Sequence, residues 1–345
     1  MRVLNVGNFY YARQAQLFYV MCRKLTNGFI SNGHNVYNFD DRMMARVTNI
    51  IPSRSLGKRR VNESFISCCI NFQPDFIVLN FADLITVQTL EEIRKSLPNT
   101  RIANIFLDPL DSRRNRQRVA AYHKAVDMSF VTTAGQAFAE LQEQVPNLYF
   151  IPNAVDKRVE NENIFTKTNQ THDVFFSVGS YKGSPERVDK ALELARWVPR
   201  ANYNYFGFGG VPSIWGMRYF AEMARSRIGL NFSRFEDHYL YTSDRLAHYM
   251  GNGLLTVLDR ASGLEHFFTN DEALFFSSLE ELAEKLEYYL AHDDLRQKVA
   301  QAGHDKIHAI HSVEQVCQYI IERSFDMPLS QTYEWPTEIS DIVPD

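Results

Sequence analysis

Apolar and polar residues alternate in blocks through the first half of the chain. Val3-Leu4-Asn5-Val6 is a short apolar run closed by Gly7-Asn8, the pattern of a strand entering a turn. Residues 13–31 carry apolar positions at helical spacing. Gly33-His34 stops them before a second strand, 35–39, that ends in Asp40-Asp41. Residues 61–72 and 89–97 read as helices on either side of a third strand, 75–80. Segments 101–107, 128–132 and 148–151 read as the fourth, fifth and sixth strands. Residues 40–58 show no firm period and read as a long loop. Strands separated by helices imply a mostly parallel sheet covered on both faces.

A second alternation follows a polar stretch, 157–172, that has the composition of a linker. Strands are expected at 174–178, 201–206 and 273–276, and helices at 185–197 and 215–225. Ser278-Leu279-Glu280-Glu281 opens a helical region like a capping box, and that region runs to about residue 325. Between these lies the stretch IGLNFSRFEDHYLYTSDRLAHYMGNG, residues 228–253. Its apolar run to Asn231 reads as a buried strand, and Tyr241-Thr242-Ser243-Asp244 supplies N-cap chemistry for a helix starting at Arg245. Gly251-Asn252-Gly253 ends that helix before a strand at 254–258. A strand, a loop and a capped helix start make an anion site, because unpaired backbone N–H groups and the positive end of the helix dipole converge there. The architecture expected is α/β, with two Rossmann-like domains at 1–156 and 157–325. Residues 326–345 form a Pro-containing tail that packs back on the first domain or stays partly disordered.

Composition narrows the class. A chain of 345 residues is long enough for two cores, and 41 acidic against 37 basic residues argue against a dedicated nucleic-acid binder. Lys58-Arg59-Arg60 and Arg113-Arg114 with Arg116 and Arg118 read as solvated faces, attraction to anionic lipid or to an anionic acceptor being the lesser reading. Cys22, Cys68, Cys69 and Cys317 show no CxxC spacing and read as free thiols in a reducing compartment. No signal-peptide pattern opens the chain, and no apolar run approaches the roughly 20 residues of a spanning helix. A cytoplasmic protein is therefore expected, with peripheral association at the inner face of a membrane as the alternative. Gly7-Asn8-Phe9 lacks GxGxxG spacing, so a dinucleotide-dependent oxidoreductase is not supported.

Four segments in order carry a family resemblance: Phe150-Ile151-Pro152-Asn153-Ala154-Val155-Asp156; Val174-Phe175-Phe176-Ser177-Val178-Gly179-Ser180 followed by Arg187; Tyr205-Phe206-Gly207; and Thr242-Ser243-Asp244-Arg245 through Gly253, then Gly263-Leu264-Glu265-His266-Phe267-Phe268. Together they resemble the nucleotide-sugar-binding domain of GT-B glycosyltransferases, in the branch of spore-maturation-protein-like and group 1 glycosyl transferases. The match spans residues 150–312, and the first half resembles the family by architecture alone. The resemblance implies two Rossmann-like domains facing across a cleft. It also implies transfer of a sugar from a nucleotide-sugar donor to a saccharide, lipid-linked glycan or glycoconjugate acceptor, in bacterial surface polysaccharide or glycoconjugate synthesis. Aligning Gly253 on the family glycine puts His248 where many retaining relatives carry a ribose-binding glutamate, and Leu240 where an earlier glutamate stands. Retaining stereochemistry is therefore not implied, and ribose recognition would fall to His248.

Two chemical requirements select candidate residues. Negative charge accumulates on the diphosphate as the glycosidic bond breaks, and no DxD arrangement stands at a strand end in the second half. No metal or other cofactor is therefore expected, and the helix dipole and cations take the role. The donor-side candidates are Gly179, Ser180, Lys182, Arg187, Gly207, Arg234, Tyr241, Thr242, Ser243, Arg245 and His248. Ser243 reads equally as a plain N-cap, Lys182 and Arg187 as a solvated helix face, and Gly179 and Gly207 as tight turns. Tyr239 and Tyr241 could stack on a sugar or base. An inverting reaction also needs a general base, for which Asp108 at the end of the fourth strand is the first choice. Asp111, Asp83 and Asp41 are its rivals, and Asp108 could equally cap the following helix. Gly7 and Asn8 are the acceptor-side candidates. His304, His308 and His311 share one helix and read as a solvated or dipole-facing surface rather than a metal site. The alternatives to a transferase are a GT-B-like epimerase or phosphorylase, and a non-catalytic sugar-nucleotide-binding module.

Overall fold

The apolar runs of the first half become six parallel strands: β1 (Arg2–Gly7), β2 (Asn35–Asp40), β3 (Phe76–Asn80), β4 (Arg101–Phe106), β5 (Met128–Val131) and β6 (Leu148–Phe150). They lie side by side in the order β2-β1-β3-β4-β5-β6. Helices α1 (Met21–Ser31), α2 (Asp41–Val47), α3 (Lys58–Phe72), α4 (Val87–Ser96), α5 (Arg113–Tyr122) and α6 (Gln136–Gln142) connect them. Burial on both faces explains the unbroken apolar runs: Val3, Leu4, Val6, Phe76, Ile77 and Val78 are fully buried. The computed structural model describes residues 1–48, 57–110, 112–183, 185–233 and 237–342.

Several expectations for this half are corrected. The helix expected from residue 13 begins only at Met21, because Gln14 and Ala15 take φ of 48° and 65°, which an α-helix cannot accommodate. The segment read as a long loop contains α2, whose seven residues are too few to show a period. Asp40 caps it, its Oδ1 accepting from the Met43 amide at 2.8 Å. The helix expected after Asp108 is α5, Arg-rich and burying Val119 alone, while α6 was not expected.

The second half forms five parallel strands: β7 (His172–Ser177), β8 (Tyr203–Phe206), β9 (Ser226–Leu230), β10 (Leu255–Asp259) and β11 (Leu274–Phe276). Their order is β11-β10-β9-β7-β8. The helices are α7 (Pro185–Trp197), α8 (Met217–Ala224), α9 (Asp244–Gly251), α10 (Leu279–Ala291) and α11 (Asp293–Ile310). The capping reading at Ser278 holds: its Oγ accepts from Glu281 N at 3.2 Å, while Glu281 Oε2 accepts from Ser277 N at 2.7 Å. The expected linker is a packed segment instead. Val159, Glu160 and Ile164 are buried, and the amides of Glu162 and Ile164 donate to Asn252. Nor is the late histidine row a solvated face. His311 lies buried against Phe267, with ring centroids 4.7 Å apart, and burial lowers its pKa to about 3. His308 Nε2 lies 2.8 Å from the Gly251 carbonyl.

The helix α12 (Val313–Ser324) belongs to the first unit and not to the second. The two compact units are Met1–Ala154 with Val313–Asp345, and Val155–Ser312. Gly28 of α1 brings its backbone so close to α12 that a Cβ there would lie 2.6 Å from Cys317 Sγ. The segment after α12 continues this packing: Tyr333 and Trp335 are buried against Tyr319, and the Tyr333 hydroxyl donates to Glu322 at 2.8 Å. Among the described residues no helix is long and apolar enough to cross a membrane.

Candidate functional site

Each sheet has one point where its growth reverses. In the second unit the chain passes from β7 to the edge strand β8 and then returns to β9 on the other side of β7. Connections leaving in opposite directions open a crevice at the carboxyl ends of β7 and β9, the place where parallel sheets hold ligands. Arg245, at the start of α9, reaches into this crevice. Its guanidinium donates to the Phe232 carbonyl just after β9 at 2.9 Å and lies 5.5 Å from the Phe176 ring of β7. It also donates to Ser243 Oγ at 3.1 Å.

Ser243 occupies the N-cap position of α9 with extended backbone, yet its side chain bonds no helix amide. The plain N-cap reading is therefore incomplete: its hydroxyl is turned to Arg245. Leu240 holds a left-handed φ of 55° just upstream, a costly conformation for a branched residue. Tyr241 and Thr242 are both buried as they lead into the helix. Tyr239 packs its ring on Gly263 rather than standing open for stacking.

Burial pushes the Tyr249 hydroxyl up to about 12, opposed chiefly by the charge of Arg245 and least by that of Arg187 at the start of α7. Gly179 follows β7, its carbonyl accepting from Ser213 Oγ at 2.7 Å. Gly207 needs its missing side chain: at φ 92°, a Cβ would lie 2.0 Å from the Val178 carbonyl. Ser180 and Lys182 sit exposed in the loop after β7, where Ser180 Oγ accepts from Gly183 N at 3.3 Å. Arg234 lies outside the described residues. His248 is placed differently from the expectation. Its ring is buried against Tyr219 and Phe220, and Nε2 stands 3.7 Å from Glu160 Oε1, so the imidazole is held inside the unit.

The first unit repeats the arrangement, with its reversal between β1 and β3. Gly7 ends β1, and a Cβ there would meet the Asn80 carbonyl at 2.2 Å. Asn8 and Asn80 are buried; Asn8 Nδ2 and both side-chain atoms of Asn80 have no hydrogen-bond partner among the described residues. Tyr10 and Phe81, the residues just beyond, hold left-handed φ of 56° and 51°. The candidate bases fall near the same strand ends. Arg118 donates to Asp83 at 2.6 Å and to Asp108 at 3.4 Å while its guanidinium lies 4.9 Å from the Phe106 ring. Asp108 is exposed and does not cap α5; Ser112 does, its Oγ accepting from Asn115 N. Arg116 is likewise turned inward, donating to the Leu110 carbonyl at 2.6 Å, so half of the expected basic face is structural. Asp41 is fully buried, and burial raises its pKa to about 6 although Leu84 N donates to it. Asp111 lies outside the described residues.

With this geometry in place, comparison with known proteins is decisive for the fold. Residues 178–322 match the family described as glycosyl transferase-like. A sucrose-phosphate synthase from Thermosynechococcus elongatus superposes with a TM-score of 0.61 at 11% identity, covering 93% of this chain and 98% of that one. Alr3699/HepE of Anabaena, solved in complex with UDP, gives 0.57 at 14% identity over 95% and 100% of the two chains. An OtsA apo structure gives 0.60 at 12% identity over 96% and 100%. No curated protein matches by sequence. The chain has the GT-B fold.

In this GT-B protein, sequence reasoning missed Tyr249, Asn80 and Asn231. Asn231, directly after β9, is buried with its side-chain oxygen unpartnered among the described residues. A polar residue closing an apolar strand was the available signal at Asn80 and Asn231. Lys190 was also missed. It pairs with Asp259 at 2.8 Å and lies over Phe232, which sets a second cation beside the Arg245 contact while neutralising it.

Proposed function

We propose that this glycosyltransferase moves a sugar from a nucleoside-diphosphate donor to a saccharide, lipid-linked glycan or glycoconjugate acceptor, with protein cations in place of a metal. The observation that carries the reading is the convergence of Arg245 and the start of α9 on the β7/β9 crevice, with Arg187 as a further candidate cation. As the glycosidic bond breaks, charge grows on the leaving diphosphate, and fixed guanidiniums with oriented N–H groups stabilise it without reorganising. The Anabaena neighbour's complexes with UDP and with UDP-glucose support a uridine diphosphate donor. On the first unit, Asn8 and Asn80 offer unused hydrogen-bonding groups to an acceptor sugar. Asp108, an exposed carboxylate at the end of β4, accepts the acceptor's hydroxyl proton in an inverting reaction. A role in bacterial surface glycans rests on the resemblance of the ordered sequence segments.

Thermal melting with UDP, GDP, dTDP and CMP tests the donor site. At least one nucleotide at 100 times its Kd should stabilise the protein by about 2.7 kcal/mol. If none raises Tm, the donor reading fails. In the same assay Asp108→Asn should keep nucleotide binding and lose turnover, and full turnover in excess EDTA is expected.

A further inference from the structure

The first unit carries a groove of about 800 Å³ beside its edge strand, lined by α2, α3 and β2. That is within the roughly 300–1,000 Å³ typical of small-molecule sites. It begins at Tyr11, in the loop after β1, and follows β2 from Asp40 back to Tyr37, a distance of about 10 Å at strand rise. Phe72 of α3 closes its far end, with its ring 5.6 Å from that of Tyr37.

Its lining is of two kinds. Tyr11 and Tyr37 are 48% and 51% exposed, although Tyr11 already stacks one face on Phe9 with ring centroids 5.6 Å apart. Between the rings stand the polar side chains of Ser64 and Asn71, together with Ser67, whose hydroxyl donates to the Glu63 carbonyl at 3.0 Å. Charge selects against an anion. Asp40 lines the groove, Glu63 beside it is paired with Arg59 at 2.8 Å, and Arg60 is drawn to the Thr48 carbonyl at 2.8 Å. A purely aliphatic occupant would bury the Ser64 hydroxyl and the Asn71 amide without partners, which costs about 1–3 kcal/mol for each. A ligand with flat C–H faces, many hydroxyls and no charge satisfies both kinds of lining.

We propose that this groove binds an uncharged oligosaccharide, the portion of the acceptor glycan beyond the reacting sugar, with Tyr37 as its stacking platform. The proposal rests on the reading of the acceptor as a saccharide. It adds that recognition extends along the edge of the first sheet, away from the strand ends that hold Asn8 and Asn80. Residues here set affinity for acceptor length and leave the chemical step alone.

The test uses the full chain with neutral cello-, malto-, chito- and manno-oligosaccharides of two to six units, read by saturation-transfer NMR and calorimetry. At least one series should bind, more tightly with each added unit over the first few. Tyr37→Ala, and Ser67→Trp placed to fill the groove, should each weaken that binding at least tenfold. Both should leave nucleotide-induced stabilisation unchanged, and in turnover they should raise KM for a long acceptor without lowering kcat. Ser67→Trp changes an exposed helix position, so it reports on the groove even if Tyr37→Ala proves unstable. Equal binding by wild type and both variants overturns the proposal. So does binding confined to alkyl detergents, to anionic sugars or to an extended peptide. If a nucleotide stabilises the protein and no neutral oligosaccharide binds, the groove proposal falls while the donor reading stands.

Discussion

Replacing Asp41 by Asn should stabilise the protein at neutral pH and leave it unchanged in mild acid. Asp41 is the first residue of α2, fully buried, with one oxygen accepting from Leu84 N at 3.2 Å and the other without a partner among the described residues. Burial raises its pKa from 3.8 to about 6; the Leu84 amide and Arg42 pull it down, and the charges of Asp40 and Asp83 push it up again. The sign follows from linkage. With the folded pKa above the unfolded one, the native state holds the proton more tightly, so stability is fully present below about pH 3.8 and is lost as pH rises through 6. The difference amounts to about 3 kcal/mol, at about 1.4 kcal/mol for each tenfold change in proton affinity. Asn is nearly isosteric with the protonated acid and keeps an oxygen for Leu84. Thermal melts of wild type and Asp41→Asn between pH 4.5 and 8 should therefore diverge with rising pH. About 3 kcal/mol corresponds to roughly 6–12 °C in Tm for a domain of this size. A pH-independent offset between the two proteins, or a less stable variant at pH 8, would refute the reasoning. It would mean that the Asp41 carboxylate has charge partners that outweigh its burial.

Two further outcomes are expected. Arg245→Ala should weaken binding of the stabilising nucleotide roughly 10- to 100-fold, the loss of a hydrogen bond from a charged group, and Arg245→Lys should fall between; unchanged affinity in calorimetry removes Arg245 from the donor site. Gly207→Ala should lower stability by at least about 2 kcal/mol, because the new Cβ would meet the Val178 carbonyl at a left-handed φ. Gly209→Ala, at a similar positive φ with nothing within 4 Å, should cost only about 1 kcal/mol; equal losses at the two sites would show that contact with β7 is not what requires Gly207.

Taken alone, the sequence determined the alternation of strands and helices, the start of α9 and the position of the Ser243–Arg245 segment. Each of these rests on residues close together in the chain: buried parallel strands need continuous apolar runs, and helix ends need particular cap residues. Short elements escaped it. Helices α2 and α6 are seven residues each, too short for a period to emerge, and the start of α1 was hidden by two left-handed residues that are not glycine. Tertiary structure decided everything that depends on distant partners. It assigned α12 to the first unit through Gly28 and Cys317, turned Arg118 toward Asp83 and Asp108, and sent His248 inward to Glu160. It also set the strand order, and with it which strand ends flank each crevice. A strand's pattern records that it is buried on both faces, and a neighbour on either side satisfies that equally well. Asn80 and Asn231 could thus be read as strand ends, while their common place beside a reversal of the sheet came only from the fold.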